Sequence, residues 1–541
     1  MRKLFPAYFA FALFAAQHAA SAADMPARPL LKAPPIAAPA GSWTGFYAGV
    51  DVGVQSTRTE IDKTSSLFGT TVFGVFPTDF AGAPNSYQAS GTSARFGGYL
   101  GYNWQFAPKW LTGIEADAGA ADSKATLNGI LLPGSFPLVS GLSNGSFSTS
   151  TRWDASVRGR FGYLVTPTTL LYLTGGVAWQ NFHSTMAVTP CLPGFLGTCF
   201  FPGFSDSNSA TRAGLTIGGG IEAALWGHWT LRAQYRYSDF GHASFANANT
   251  VSVLTIVGVL PSTLSTSYDE KLRTHTATLG LAYKFGDPLP TGDAPAAAPA
   301  LLVKARPAPA APAMSWSGIY LGVDGGMRST RTRLTTDNFL FPTAFDLTNS
   351  ATTEPFNGTA FRYGAFAGAN WEFDPRWLVG VEGDVGSARK TVTYAGIFAP
   401  GVFASGLQGE AIGVGTSWDS SVRGRFGYLP TPGLLIYATA GAAWQHFNSF
   451  EACPSTQCGN AVYFANASTR VGPSVGGGLE VAATNNLRLR GEYRYANFGT
   501  TTYTNATLIS GELLGTTYHV PLQTHTVLFG ASYLFNGTMT P

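Results

Sequence analysis

The sequence predicts an all-β protein: two tandem eight-stranded antiparallel transmembrane β-barrels joined by a Pro/Ala-rich linker. Three observations predict it: a composition suited to lipid, a long internal duplication, and period-two alternation broken by connections that are alternately long and short. Of the 541 residues, 12% are charged, about half the share of a typical soluble domain, while 45% are hydrophobic, 13% are aromatic and 65 are Gly. Such a surface suits hydrocarbon. The mature part has no apolar run of the length that a spanning helix needs, about 18 residues or more. A membrane fold must then be a closed barrel, in which every strand is paired and no backbone edge meets lipid. The net charge of +3, scattered among apolar residues, excludes a nucleic-acid footprint.

The duplication organises the chain. Trp43-Thr-Gly-Phe-Tyr-Ala-Gly-Val-Asp51 recurs as Trp316-Ser-Gly-Ile-Tyr-Leu-Gly-Val-Asp324. Trp153-Asp-Ala-Ser-Val-Arg-Gly-Arg-Phe-Gly-Tyr163 recurs as Trp418-Asp-Ser-Ser-Val-Arg-Gly-Arg-Phe-Gly-Tyr428. Tyr235-Arg-Tyr237 returns as Tyr493-Arg-Tyr495, and Thr274-His-Thr276 as Thr524-His-Thr526. Each of the last pair leads to a Tyr-x-Phe ending, at Tyr283/Phe285 and Tyr533/Phe535. The offset between copies falls from 273 to 250 along the chain, so the second copy has lost residues between motifs, where loops tolerate deletion.

Alternation places eight strands in copy one, near 45–55, 94–106, 109–119, 151–165, 168–182, 211–226, 228–240 and 273–285. Phe96, Leu100, Tyr102 and Trp104 share one face; Arg95, Tyr99, Asn103 and Gln105 share the other. Long loops are expected near 56–93, 120–150, 183–210 and 241–272, with short turns at Ala107-Pro108, Thr166-Pro167 and Gly227. Long connections on one side and tight turns on the other are the outer-membrane barrel pattern. An even strand count leaves both ends of each barrel on the short-turn, periplasmic side, so the linker never crosses the membrane.

The domains follow. Arg2 and Lys3, an apolar stretch from Leu4 to Ala16, and Ala20-Ser21-Ala22 read as a secretory signal peptide, 1–22. Then come a Pro/Ala-rich periplasmic extension (23–42), barrel one (43–286), a semi-rigid linker (287–314), barrel two (315–536) and a C-terminal tail (537–541). Export and an even count favour disulfides within two close pairs, Cys191 with Cys199 and Cys453 with Cys458. A metal site is the alternative, although no His clusters with either pair. No cofactor is expected.

The start motif, the W-D-x-S-x-R-G-R-x-G-Y strand and the final H-x-x-x-x-G-x-x-Y-x-F strand resemble the small outer-membrane proteins of alpha-proteobacteria, the porin-family proteins with an OmpA-like transmembrane barrel. The resemblance covers nearly the whole mature chain, twice. It implies a surface or envelope-stabilising protein in the cell outer membrane, with outer-membrane lipid, lipopolysaccharide and the barrel-assembly machinery as partners. Haem binding by some members is also implied as a possibility. The terminal aromatic that serves barrel assembly in such proteins would here be Phe535, six residues from the chain end. The sequence does not reveal the external partner of the long loops.

The inward polar set carries the chemistry. In copy one it is Asp51, Arg95, Glu115, Asp117, Asp154, Arg158, Arg160, Glu222, Arg232 and Arg236; in copy two, Asp324, Arg362, Glu382, Asp384, Asp419, Arg423, Arg425, Glu480, Arg490 and Arg494. Eight strands enclose room for side chains alone, so these charges should pair and plug the lumen. A narrow passive channel is the alternative. A lipid-modifying enzyme would need Ser, His and acid together at the rim. His275 and His525 are the histidines repeated in both copies, and neither a G-x-S-x-G elbow nor H-E-x-x-H occurs; the chain is expected not to be an enzyme. For haem, His183 and His242 lie near loop bases, but Asn448 and Thr500 replace them in copy two.

Overall fold

The computed structural model describes residues 41–70, 74–77, 86–130, 145–188, 204–255, 258–290, 315–340, 352–395, 411–453, 462–509 and 512–535. The expected signal peptide, most of the Pro/Ala-rich extension, most of the linker, the C-terminal tail, Cys191, Cys199 and Cys458 lie outside them. Of Cys453 the backbone position alone is described, in a strand opposite Val462.

Two antiparallel sheets account for the described chain. The first holds β1 (Gly45–Thr70), β2 (Gly74–Pro77), β3 (Ser86–Ala107), β4 (Trp110–Ala120), β5 (Lys124–Ile130), β6 (Gly145–Thr166), β7 (Thr169–Val188), β8 (Phe204–Ala224), β9 (Trp229–Thr255) and β10 (Gly258–Lys284). The second holds β11 (Gly318–Leu340), β12 (Thr352–Pro355), β13 (Gly358–Asp374), β14 (Trp377–Ala395), β15 (Ala411–Thr431), β16 (Leu434–Cys453), β17 (Val462–Ala482), β18 (Leu487–Ile509) and β19 (Glu512–Phe535). β4 and β5 both lie along β6 and form one stave. β2 and β12 are short additions on β1 and β11. Each sheet thus has eight staves and closes on itself: β1 pairs β10 from Tyr47↔Lys284 upward, and β11 pairs β19 from Ile319↔Phe535.

Alternation drives the closure, with its polarity inverted relative to a soluble protein. On β3, Phe96 and Leu100 are 63% and 62% exposed, while Arg95 between the same neighbours is 1% exposed. Aromatic residues gather in two belts. Near the short turns Trp110 stacks on Phe161 and meets Tyr163 edge to face, and Tyr283 meets Trp229 and Phe285 edge to face. Trp153, Trp179, Tyr237 and His275 mark the other belt. Trp153 and Tyr163 stand ten residues apart on β6, a rise of about 33 Å along the strand, which a tilt of about 40° reduces to roughly the 25 Å of an outer-membrane hydrocarbon band.

The four long loops expected in copy one are corrected. β1 continues to Thr70, β3 begins at Ser86, and β9 and β10 run on until Gly258 pairs with Thr255. Much of 56–93, 120–150, 183–210 and 241–272 is strand. Beyond the belt the outward face meets water in place of lipid, so Ser, Thr and Asn replace its apolar residues and the apolar/polar alternation fades, while inward Ile61, Phe147 and Tyr268 stay buried. The ladder hydrogen bonds and β-branched Thr keep the strand going. One device recurs in both sheets: Phe240 and Gly241 oppose the single Leu272, as Phe498 and Gly499 oppose Leu522. Gly241 and Gly499 have φ of 65° and 67°, a left-handed geometry that Gly adopts without strain, and their amides donate to Asp239 and Asn497. This bulge shifts the phase of β9 and β18 by one residue: Phe240 and Phe498 still continue the inward phase of Arg236 and Arg494, and beyond the bulge the odd-numbered Phe245 and Tyr503 take the interior side.

Candidate functional site

The described interior of barrel one is layered. At the short-turn end, Leu111, Leu164, Leu170 and Tyr172 pack on Trp43, whose indole N–H donates to Pro167 O at 2.9 Å. Trp316 does the same in barrel two, donating to Pro432 O at 2.9 Å over Leu378, Leu429 and Leu435. The tryptophan of each start motif is therefore a base plug. The chain also enters and leaves barrel one at this end: the Ser42 amide donates to Pro288 O, and the Leu289 amide to Gly227 O.

Above this base lies the charged layer. Arg95 bridges Asp51, Asp117 and Asp154 at 2.8, 2.8 and 2.9 Å. Arg158 holds Glu115 at 2.6 Å and Asp117 at 3.2 Å, and Arg160 pairs with Glu222. Arg232 reaches Glu115 at 2.6 Å and Asp51 at 3.5 Å; Arg236 joins Asp117 at 2.7 Å and also Asp154. Tyr47 donates to Glu115 at 2.8 Å. Arg232 and Arg160 lie on the rings of Tyr99 and Tyr172, 3.2 and 3.9 Å from their centroids. Gly220 makes room here: a Cβ at that position would stand 2.7 Å from the Tyr172 hydroxyl. The Gly218-Gly-Gly220 run is thus a seat for an interior ring within a strand, far from any phosphate loop.

Barrel two repeats the layer. Arg362 holds Asp324 at 2.8 Å, Asp384 at 2.5 Å and Asp419 at 2.8 Å. Arg423 holds Glu382 at 2.8 Å, and Arg425 pairs with Glu480. Arg490 reaches Glu382 at 2.6 Å and Asp324 at 3.3 Å, and Arg494 holds Asp384 at 2.8 Å. The structure thus brings the twenty residues of the inward polar set together in two clusters. It adds two that the sequence reading missed. Arg328 binds Asp419 at 2.9 Å, and Glu492 binds Arg423 at 2.5 Å and Arg494 at 3.1 Å. The motif offsets place them at the positions of Gln55 and Gln234, on the inward phase of matched strands, and comparing the copies position by position would have found both.

A second apolar layer closes the charged one from the hairpin side. It is Ala178, Phe182, Phe240 and Leu272 in barrel one; the counterparts Ala443, Phe447, Phe498 and Leu522 in barrel two belong to a larger buried cluster that also takes in Ile61, Phe147 and Tyr268 of barrel one. Phe240 and Phe498 keep the inward period of two set by Arg236 and Arg494.

The histidines fall elsewhere. His275 Nδ1 lies 2.7 Å from the Tyr235 hydroxyl, and His525 Nδ1 lies 2.7 Å from that of Tyr493; their rings lean on Tyr237 and Tyr495 in the upper aromatic belt. His183 bonds Ser209, and His242 is exposed opposite Lys271. No group of three or more His, Cys, Asp or Glu able to hold a metal occurs among the described residues.

Comparison with known proteins agrees with this geometry. The profile of the outer membrane protein beta-barrel domain matches residues 9–285 and again 297–535. The 31 kDa outer-membrane immunogenic protein of Brucella melitensis is 27% identical over 258 residues, 46% of this chain and 88% of that protein. The 22 kDa outer membrane protein of Rhizobium leguminosarum is 29% identical over 204 residues, 37% of this chain and 66% of that protein. Among solved structures, the outer membrane protein OprG from Pseudomonas aeruginosa aligns over 45% of this chain and 98% of its own at 17% identity, with a TM-score of 0.26.

Proposed function

This chain belongs to the outer membrane protein β-barrel family and lies in the outer membrane, and from that premise we propose that it is a structural surface protein: two sealed barrels that anchor external β-hairpins and contribute to envelope integrity. The observation that carries the reading is the layered interior. In each barrel a charged layer is packed between apolar layers at both ends. Barrel one sets Arg95, Arg158, Arg160, Arg232 and Arg236 against Asp51, Glu115, Asp117, Asp154 and Glu222, a neutral sum of five against five. Barrel two adds Arg328 and Glu492 and stays neutral. An ion entering either lumen would have to break these buried pairs, and lone buried charges are costly. Outer-membrane lipid and lipopolysaccharide then surround the exposed apolar band. The Tyr533/Phe535 ending, half exposed and mutually packed, is the signal offered to the assembly machinery.

Planar-bilayer recording on the purified full chain tests the sealed lumen. The expected trace shows no conductance above the lipid baseline, in agreement with liposomes that do not swell in small sugars. Stable open channels of about a nanosiemens, the behaviour of water-filled barrels, would reject it.

A further inference from the structure

On an isolated barrel every outward side chain in the hydrocarbon band faces lipid. Here a strip of them does not. On β8, outward Leu215 and Ile217 are 76% and 63% exposed, yet outward Ile221 and Ala223 on the same strand are 5% and 2% exposed. β17 repeats the contrast: Val471 and Val475 are exposed, while Leu479 and Val481 are buried. These buried residues form one cluster with Ala233, joined by Leu231, Leu489 and Phe529. What covers each barrel's strip is the strip of the other barrel.

The contact is self-complementary. By the motif offsets, Ile221 corresponds to Leu479, Ala223 to Val481, and Ala233 to Gly491. The last two meet each other: a Cβ on Gly491 would lie 3.1 Å from the Ala233 Cβ. Small residues at this crossing let the two walls approach closely, as in other membrane contacts. Nearer the hairpins, the Ser56 and Thr359 hydroxyls are 3.0 Å apart, and those of Thr92 and Ser329 are 2.8 Å apart. Ser56 corresponds to Ser329 and Thr92 to Thr359, so one hydrogen bond is the image of the other. Reciprocal pairing of equivalent residues is the signature of a twofold, isologous interface. Ser56 and Ser329 stand opposite His275 and His525 in register, which sets the polar clamp at the upper aromatic belt and the apolar contact below it. Strand tilt brings β8 and β9 near the base and β1 and β3 near the top into one upright line. Beside that line a cavity of about 900 Å³ lined by Leu171, Leu173, Val323 and Ala531 stays open, so the contact is a seam and not a merged wall.

We propose that this strip is a self-recognition face through which the two barrels of one chain pair in the bilayer as a pseudo-twofold dimer. The linker supplies proximity, and the seam supplies orientation.

The test uses the full chain with its four native cysteines replaced by Ser, in membranes, under mild oxidation. One variant carries Ser56→Cys with Thr359→Cys, a second carries Thr92→Cys with Ser329→Cys, and a control pair, Val157→Cys with Val422→Cys, sits on outward positions away from the seam. Heat-modifiable migration checks folding in each. Because tethering alone gives every pair some effective concentration, the expected yield of intrachain disulfide at the two seam pairs is roughly fivefold or more above the control. Adding Gly491→Trp, which faces outward and leaves the lumen untouched, should bring that yield down toward the control. Seam yields equal to the control, or disulfides that join two chains, would overturn the proposal.

Discussion

Barrels one and two share a fold, a charged layer and a base plug, yet their polar interiors are distributed differently. Barrel two replaces Gln55 and Gln234 by Arg328 and Glu492, and both new charges are bound by neighbours already present. Toward the hairpins the trend reverses. Barrel one buries Glu270, which accepts from Thr59 at 2.8 Å, from Ser184 at 2.7 Å and from Thr149. The corresponding positions in barrel two include Val520 and Val414, both buried. What the two copies hold in common is therefore local balance. A charge appears where compensation surrounds it; where the acid is absent Thr149 has given way to the aliphatic Val414, while Thr59 keeps its hydroxyl as Thr332, which donates to Pro521 O instead. This is the pattern expected when unpaired buried charge is costly and a well-packed apolar replacement is tolerated.

The comparison is broken most severely by removing the arginines that both barrels share. Arg158→Ala with Arg160→Ala in barrel one, or Arg423→Ala with Arg425→Ala in barrel two, leaves Glu222 or Glu480 without its arginine. A loss of about 3–5 kcal/mol per broken buried pair is expected, read as a fall in the urea midpoint of the altered barrel in detergent. Equal midpoints for variant and parent would show that the layer does not hold the barrels together. A smaller effect sharpens the idea of balance. Glu492→Gln and Arg328→Gln should each cost about 3 kcal/mol, since each leaves the layer with a net charge. The double variant, which restores the glutamines of barrel one, should cost less than their sum. The coupling runs through the chain Arg328–Asp419–Arg362–Asp384–Arg494–Glu492, and strict additivity in the double-mutant cycle would deny it. The smallest effect is expected where the barrels do not differ: Gly241→Ala and Gly499→Ala each force a Cβ into a left-handed geometry, at about 1 kcal/mol. A tryptophan-fluorescence melt should shift alike for both, and a large difference between them would mean that the two bulges are not equivalent.

Fold class, copy number and the charged layer were legible in the sequence because they rest on period-two alternation and on repeated motifs. Arg95 must turn inward if Phe96 meets lipid, and the same holds for Arg158 beside Val157. Three features were decided only by the tertiary structure. Strand length beyond the aromatic belt was hidden because alternation records a difference between lipid and lumen, and that difference vanishes in water. The interior packing of Phe245 and Tyr503 was hidden because one inserted residue reverses the phase after Phe240 and Phe498. The seam was hidden because an outward Ile221 facing lipid and an outward Ile221 facing another barrel satisfy the same local rule. Local sequence sets which side of a strand is apolar. Which apolar surface finally covers it depends on contacts between residues hundreds of positions apart, and packing alone decides that.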